Sequence, residues 1–469
     1  MNTKYVSFLK EIRSFVPEER IYTDELRRLA WGSDAGFYRL IPQIIIRSDS
    51  EKEISQLLAL AKAKHLPVTF RAAGTSLSGQ AISDSILIVA GKHWEKYDIL
   101  DNGMKIRLQP GIIGQRVNDL LRPYGRKFAP DPASIKSAMV GGIVMNNASG
   151  MNCGTHANSD KMLLSARIVL ADGTVLELGG KQIKDASGLS LKQLLIGSEG
   201  TLAVITRCTL ALLPKPETSL SVLVPYPDLD TGIRSVLAVL QAGANPTAVE
   251  FLERSVVELG EAYSGSKYPR PDAGSYLLLT FDGRALEVQE SLNRVNELVL
   301  SQGALEVITL QDAAQAAEIW RVRGALVKAA EAVSEQEPMD IVVPISKTAE
   351  FIRFIHALEA KSGVRMIGFG HAGDGNVHLC VMRDGRDQET WDKLLHETAE
   401  QAYEEAYRLG GVASGEHGIG LSKRSYFLRQ TQPEVLTAMN QIKNALDPKH
   451  ILNDQKSYVK GETNHADTV

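Results

Sequence analysis

The sequence predicts an α+β protein built in two parts, and three observations carry that prediction. From Pro42 onward the first half consists of short strand-like runs separated by glycines. Pro214 and Pro216 then mark a boundary, beyond which apolar strands alternate with long helical patterns. A chain of 469 residues with 44% apolar content is also too long for one ordinary core, so two or three domains are expected.

Taken in order, residues 1–40 read as a helical segment, with Val6, Leu9, Ile12 and Arg13 and then Leu26, Leu29 and Ala30 setting the period. The runs PQIIIR, LPVTF, SILIVA and KIRLQ read as strands, and a capping box from Ser50 to Glu53 opens a helix among them. The pair ARIVLADGTVLELG turns at Asp172-Gly173, and GSEGTLAVITRCTLALLPKP leads to the boundary that closes a domain over 41–214. From 215 to 410 a second α+β domain is expected. Its strands SLSVLV, YLLLTF, DIVVPI and VRMIGF alternate with helices near 284–302, 312–333, 347–361 and 388–409. The stretch 411–457 follows, and the polar residues from 458 to 469 read as a loose tail.

Charge narrows the function classes. Fifty-two basic residues against fifty-six acidic give a net charge of −4, with no basic run that would neutralise a phosphate backbone, so nucleic acid is excluded as a partner. The N-terminus lacks an apolar signal core, and no apolar run reaches the roughly 20 residues of a transmembrane helix. These features point to a cytoplasmic protein, with peripheral membrane contact compatible. Cys153, Cys208 and Cys380 stand far apart with no C-x-x-C pair, which argues against a disulfide framework and against a built-in iron–sulfur cluster. If the chain handles electrons, another protein or a small acceptor must remove them.

Four glycine-rich stretches recur among the first-half strands: RAAGTSLSGQ (71–80), PDPAS (130–134), GGIVMNNASGMNCG (141–154) and GSEGTLAVIT (197–206). Glycines admit close backbone approach, and successive N–H groups and hydroxyls make an anion-binding concavity, so one such loop suits phosphate. Alone it would equally be a surface turn. Four in series imply a long ligand threaded past much backbone.

In this order the four motifs resemble the FAD-binding domain of the vanillyl-alcohol-oxidase type of flavoproteins. The second half is similar to that family's D-2-hydroxy-acid dehydrogenase branch. The resemblance implies a two-subdomain FAD-binding domain, followed by an α+β cap domain with an antiparallel sheet and a C-terminal segment, 411–457, that returns to the flavin. It implies FAD held non-covalently. Arg71, Ala73, Gly74, Thr75, Ser76, Leu77, Ser78 and Gly79 would wrap the pyrophosphate, while Pro130, Asp131, Gly142, Asn146, Ser149 and Gly150 would line the ribityl and ring region. Val204 and Ile205 would offer backbone to the adenine, and Glu199 and Asn453 complete the implied cofactor set.

The stretch GFGHAGDGNVHLC (368–380) contains G-x-G-x-x-G at Gly368, Gly370 and Gly373, yet a dinucleotide loop requires a helix after it. Here a turn signal, Asp374-Gly375-Asn376, leads into the alternating run VHLCVM, so a hairpin is expected that brings His371 and His378 near its turn. Two imidazoles on adjacent strands chelate a divalent ion once a third ligand joins them, and without one they are merely two histidines near a turn. SGEHGIG (414–420) offers Glu416 and His417 side by side, which as a sequence feature is also compatible with a solvated turn. The resemblance implies that His371, His378 and Glu416 bind a divalent cation, zinc, manganese or iron. It assigns His417 as the catalytic base, and the two metal histidines would also meet the substrate.

In EIWRVRGALVKAAEAV (318–333) an apolar arc of Ile319, Val322, Leu326, Ala329 and Ala330 carries Arg323 within it, while Arg321 lies on the far side with Lys328. An arginine on a buried face needs a partner, either a structural carboxylate or a ligand's. The resemblance assigns Arg323 to the substrate carboxylate. D-2-hydroxyglutarate dehydrogenases carry a threonine, a lysine and an asparagine where this chain has Val327, Pro338 and Cys380, so a second carboxylate would lack its anchors. The expected reaction is oxidation of a small D-2-hydroxy acid, D-lactate first and glycolate next. Electrons would pass to an external acceptor: a separate iron–sulfur protein, a quinone or a cytochrome. Rival readings are a D-2-hydroxyglutarate dehydrogenase, a same-fold transferase of the alkyl-glycerone-phosphate synthase type, and a non-catalytic flavin subunit. Oligomeric state is open, with a homodimer as one candidate.

Overall fold

The run of isoleucines at 44–46 and the run ILIVA at 86–90 have no polar alternation, which is the pattern of strands covered on both faces. In a computed structural model, which describes residues 3–152, 158–180, 182 and 184–459, they form the centre of a small parallel sheet. Strands β1 (Ile21–Tyr22), β2 (Ile44–Ser48), β3 (Val68–Arg71) and β4 (Ile86–Ala90) lie in the order β1-β2-β4-β3, with only β1 antiparallel to its neighbour. The Glu51–Lys64 helix crosses from β2 to β3. Ser50 Oγ accepts from the Glu53 amide at 3.3 Å, as the capping box requires, but the Glu53 carboxylate reaches back to the Asp49 amide at 2.9 Å and pairs with Arg20.

A second, antiparallel sheet comprises β5 (Tyr97–Leu100), β6 (Lys105–Leu108), β8 (Leu163–Val169), β9 (Val175–Gly179) and β10 (Val204–Ala211), ordered β5-β6-β10-β8-β9. The expected turn joins β8 and β9, with Asp172 Oδ1 accepting from the Thr174 amide at 2.9 Å. Two-residue strands β7 (Arg126–Lys127) and β11 (Leu213–Pro214) pair beside it. These elements and residues 416–459 form one compact unit; residues 151–152 and 215–415 belong to a second. Cys153, Gly154 and the expected tail from 460 onward lie outside the described residues. Tyr458 and Val459, placed in that tail from sequence, are instead built into the first unit: Val459 is fully buried and the Tyr458 hydroxyl meets Thr201 Oγ1 at 3.0 Å.

The N-terminal segment departs from the uniform helical reading. Helices span Thr3–Ile12 and Glu25–Ala30, and β1 lies between them. Phe8, Leu9 and Ile12 reach the core of the parallel sheet, whereas Val6, Leu26 and Leu29 are exposed. A six-residue helix is too short to stand on periodicity, and the unfilled edge of β2 captured Ile21 and Tyr22 instead.

The second unit is one seven-stranded, wholly antiparallel sheet. Its strands are β12 (Thr218–Tyr226), β13 (Ala248–Glu253), β14 (Ser275–Gly283), β15 (Ile308–Leu310), β16 (Gln336–Val342), β17 (Met366–His371) and β18 (Asn376–Met382), in the order β15-β12-β14-β13-β17-β18-β16. Helices Ala285–Ser301, Ala313–Val333, Thr348–Ser362 and Gln388–Arg408 fall within a residue or so of the predicted spans. Alternation divides the sheet. Val249, Phe251, Leu277 and Leu279 face one core, while Leu252, Leu278, Phe369 and Cys380 face another, shared with Ile319, Val322 and Leu326 of the Ala313–Val333 helix. Among the described residues no helix is long and apolar enough to cross a membrane.

One buried ion pair pins the C-terminal stretch to the first unit. Lys443 and Asp447, both fully buried, meet at 2.6 Å, and Lys443 Nζ also donates to the carbonyls of Thr201 and Leu452 at 2.7 Å. Removing one partner strands the other charge, so Lys443→Met is expected to cost about 3–5 kcal/mol, read as a lowered thermal midpoint. A midpoint equal to wild type would contradict this.

Candidate functional site

Register decides which polar residues meet in the second unit. Glu250 on β13 is directly opposite His371 on β17, and Asp340 on β16 is directly opposite His378 on β18. Parity with Leu252, Phe369 and Cys380 puts Glu250, His371 and His378 on the sheet face covered by the Ala313–Val333 helix, and the pairing with His378 brings Asp340 to the same face. The result is a line of four side chains. Glu250 Oε1 lies 2.6 Å from His371 Nδ1, the two imidazole Nε2 atoms are 3.2 Å apart, and His378 Nδ1 is 3.6 Å from Asp340 Oδ1. Both carboxylates are fully buried, and the histidines are under a tenth exposed.

Each imidazole therefore has a carboxylate on its Nδ1 side and turns its Nε2 towards the other imidazole. Two nitrogens bound to one tetrahedral ion at about 2.1 Å sit about 3.4 Å apart, close to the separation seen here. Carboxylates on the far nitrogens orient such ligands and make them more basic. The Nε2 atoms of His371 and His378 have the spacing of two ligands to one divalent cation, which needs at least a third. Asp340 is held in place in turn: its oxygens accept from Asn376 Nδ2 at 2.8 Å, Ser414 Oγ at 2.8 Å and the Gly415 amide at 3.0 Å. Glu416 and His417 are the next two residues in the chain.

Arg323 projects from the apolar arc predicted for its helix, whose members Ile319, Val322, Leu326, Ala329 and Ala330 are all buried. Its Nε and Nη2 both contact Glu250 Oε2 at 2.5 Å, and the guanidinium lies 5.2 Å from the Phe369 ring centre. Burial would push the Glu250 carboxyl up, but Arg323 and His371 together hold it down at about 2. Arg321, on the opposite side, is exposed and donates to Ser266 Oγ at 3.0 Å.

The hairpin explains the glycines that mimic a dinucleotide loop. Gly368 and Gly370 belong to β17, the turn follows, and β18 rather than a helix comes next. A side chain at Gly370 would meet the Asn376 carbonyl oxygen at 2.1 Å, so glycine serves the close strand approach there.

In the first unit, Arg71 ends β3. Its Nη1 donates to the Ser33 carbonyl at 2.7 Å, and its buried Nε has no hydrogen-bond partner among the described residues. Gly74 follows at φ +74, where a Cβ would fall 2.2 Å from that guanidinium. Ser76 Oγ accepts from the amides of Ser78 and Gln80, at 3.4 and 3.3 Å, shaping the 72–79 loop around it. Gly142 lies against Ala72, and at Gly150, φ +126, an added Cβ would fall 2.1 Å from the Asp131 carbonyl oxygen. At Val204 and Ile205, β10 pairs with β8, while β6 joins only from Cys208, which leaves backbone on one edge outside that pairing. A buried guanidinium N–H without a partner among the described residues, set against a positive-φ glycine, fits a phosphate-bearing ligand, so the residues present fit FAD.

Other residues assigned to the cofactor from sequence have different partners. The Glu199 carboxylate accepts from the amides of Ile419 and Gly420 at 2.8 Å each, and Asn453 spends its side chain on Thr69, Lys456, Gln80 and Glu199. Asn146 Nδ2 donates to Glu416 O at 2.7 Å and Gln80 Nε2 to His417 O at 2.8 Å. The bonds from Glu199, Asn146 and Gln80 clamp the backbone of 416–420. Lys456, fully enclosed, donates to Gln80 O at 3.0 Å and to Asn453 Oδ1 at 2.9 Å, and burial pushes its pKa down to about 7. Sequence reasoning passed over Glu250, Asp340, Gln80 and Lys456. The available signal was an acid inside an otherwise apolar strand, AVEFLE and MDIVV, where burial demands a partner.

Comparison with known proteins identifies the family. The model for FAD linked oxidases, C-terminal domain, matches residues 215–457, and that for the FAD binding domain matches 42–179. The chain belongs to the FAD-linked oxidase family. It is an FAD-dependent oxidoreductase with the vanillyl-alcohol-oxidase type of fold. Within the family it is similar to a D-lactate dehydrogenase from Anaerostipes hadrus, 32% identical over 461 residues that cover 96% of each chain. It is also similar to glycolate oxidase subunit GlcD from Bacillus subtilis, 30% identical over 92% of this chain and 93% of the other. The solved structure of 4-ethylphenol oxidase from Gulosibacter chungangensis shares the fold with a TM-score of 0.80, over 98% of both chains, at 16% identity.

For this FAD-linked oxidase the close approach at Gly150 has a measurable consequence. Gly150→Ala should destabilise the fold by more than about 1 kcal/mol and reduce the FAD retained on purification, read from the flavin-to-protein absorbance ratio. Wild-type FAD content and melting temperature together would show that the position tolerates a side chain.

Proposed function

We propose that the protein oxidises a small D-2-hydroxy acid, D-lactate first and glycolate next, to the 2-oxo acid and passes the electrons to an external acceptor. The observation that carries this reading is the line Arg323–Glu250–His371–His378–Asp340, which sets a guanidinium beside a pair of convergent imidazoles on one sheet face. An α-hydroxy acid offers the matching groups on adjacent carbons: a carboxylate for the guanidinium and a hydroxyl for a cation. The names of the similar relatives, D-lactate dehydrogenase and glycolate oxidase subunit, support the same substrate class.

In this reading Arg323 holds the substrate carboxylate. His371, His378 and Glu416 would hold a divalent cation, which would supply the positive charge that makes a hydroxyl more acidic. His417, adjacent to Glu416 in the chain, accepts the hydroxyl proton. Bound FAD supplies the acceptor for the hydride that leaves the α-carbon. Arg71, the 72–79 loop, Pro130, Asp131, Gly142, Asn146, Ser149, Gly150, Val204 and Ile205 would hold it, while Glu199 would act by fixing the Ile419 and Gly420 amides and Asn453 by tying Thr69 to the Gln80 and Glu199 carbonyls. A separate iron–sulfur protein, a quinone or a cytochrome then takes the electrons.

Size selection follows from the places where a second carboxylate would be anchored. Cys380 is buried in the apolar cluster around Leu326 and Met382, and burial pushes its thiol up to about 12, so it stays neutral. Pro338 lies directly opposite it on β16, and Val327 is exposed on the helix. None of the three offers a positive charge or a strong donor.

Two experiments test the reading. Anaerobic titration of metal-replete protein should bleach the oxidised flavin with D-lactate, and next best with glycolate, but not with L-lactate or D-2-hydroxyglutarate. Metal-stripped protein should bleach far more slowly. Preferential bleaching by D-2-hydroxyglutarate would overturn the size argument, and no bleaching by any acid would favour the transferase or the non-catalytic subunit. His417→Ala should lower kcat by roughly 10²–10⁴ with unchanged FAD content; near-normal turnover would remove His417 from the mechanism.

A further inference from the structure

Glu250 touches both Arg323 and His371, the two halves of the proposed substrate site. Its Oε2 takes two contacts from Arg323 at 2.5 Å, and its Oε1 takes His371 Nδ1 at 2.6 Å. It is fully buried on a sheet face otherwise filled by Leu252, Tyr276, Leu278 and Phe369. Assembling buried charges there is costly, and apolar residues of similar volume would pack that face at least as stably. The arrangement has a use if one carboxylate serves two functional partners. Negative charge on Oε1 makes the His371 imidazole a better cation ligand, while the same carboxylate fixes the direction of the Arg323 fork and offsets part of its charge.

We propose that Glu250 is a positioning residue that couples the two subsites, so that cation affinity at His371 and hydroxy-acid anchoring at Arg323 are set together through one carboxylate. This rests on the roles given above to Arg323 and His371. Because the carboxylate is shared, changing either partner must alter what the other receives, and the coupling is reciprocal for binding. The signs are specific. Loss of the Glu250 charge weakens the cation and loosens the anchor at once. Loss of the Arg323 charge leaves the full carboxylate charge to His371 and tightens the cation.

The test is calorimetric titration of Mn²⁺ into metal-stripped, FAD-loaded protein, alongside KM for D-lactate at saturating Mn²⁺. Glu250→Gln should weaken Mn²⁺ binding about 10- to 100-fold and raise KM more than it lowers kcat. Arg323→Met should raise KM yet tighten Mn²⁺ several-fold, a change that a purely structural ion pair would not produce. Unchanged Mn²⁺ affinity in both variants would overturn the coupling. Arg323→Met strands the Glu250 charge as well, so where both variants lose FAD or cooperative melting, Arg323→Lys, which keeps a cation beside the carboxylate but not the fork, decides: it should raise KM without weakening Mn²⁺, and weakened Mn²⁺ binding with FAD retained would overturn the coupling. A wild type that binds no Mn²⁺ would refute the cation site itself, and Arg323→Met with unchanged KM would refute the anchor; either also removes the coupling.

Discussion

A carboxylate taken out of water must be paired, and in the second unit that requirement organises everything around Glu250. Strand β13 delivers it to a fully buried position, β17 supplies His371 directly opposite, and the Ala313–Val333 helix supplies Arg323 from within its apolar arc. The apolar contacts of Leu252, Phe369, Ile319 and Val322 hold strand and helix at the spacing these bonds require. Asp340 repeats the device on the other side of the hairpin, opposite His378, and extends it to Ser414 and Gly415. Packing and polar chemistry are therefore parts of one arrangement, since the apolar face creates the low dielectric that makes each pairing strong.

The first unit solves a different problem, holding irregular backbone steady enough to present a concavity. Its answer is a set of buried polar staples. Glu199 takes two amides of the 416–420 turn, Gln80 and Asn146 take two of its carbonyl neighbours, and Lys456 and Asn453 tie β3 to the segment that follows the 72–79 loop. These residues lie far apart in sequence, and each is satisfied by groups of the protein itself. This distinguishes them from Arg71, whose Nε points into the loop without such a partner. Side chains that look alike in a motif thus divide into those bonded within the protein and Arg71, whose Nε has no such partner among the described residues.

The parts of this protein legible in its sequence were those governed by local rules. Strand runs such as IIIR and ILIVA, the cap at Ser50, the turn at Asp172-Gly173 and the 313–333 helix follow from periodicity and turn chemistry, which act over a few residues. The two hairpin histidines and the buried side of Arg323 were legible for the same reason, and the ordered glycine motifs identified the family. Where local signals were weak, at 21–22, an unfilled sheet edge overrode them.

What only the tertiary structure decided is which distant groups share a carboxylate. Glu250 and Arg323 are 73 positions apart and Glu250 and His371 are 121 apart, and no periodicity relates them. Their meeting depends on strand order, since β13 lies beside β17 only because the sheet runs β14-β13-β17-β18. The chain by itself determined the elements, the cofactor family and the residue types able to do the chemistry, because these reside in spacing and composition. The partner of each buried charge was settled by register and packing, because desolvation energy is a property of the assembled face and not of any segment alone.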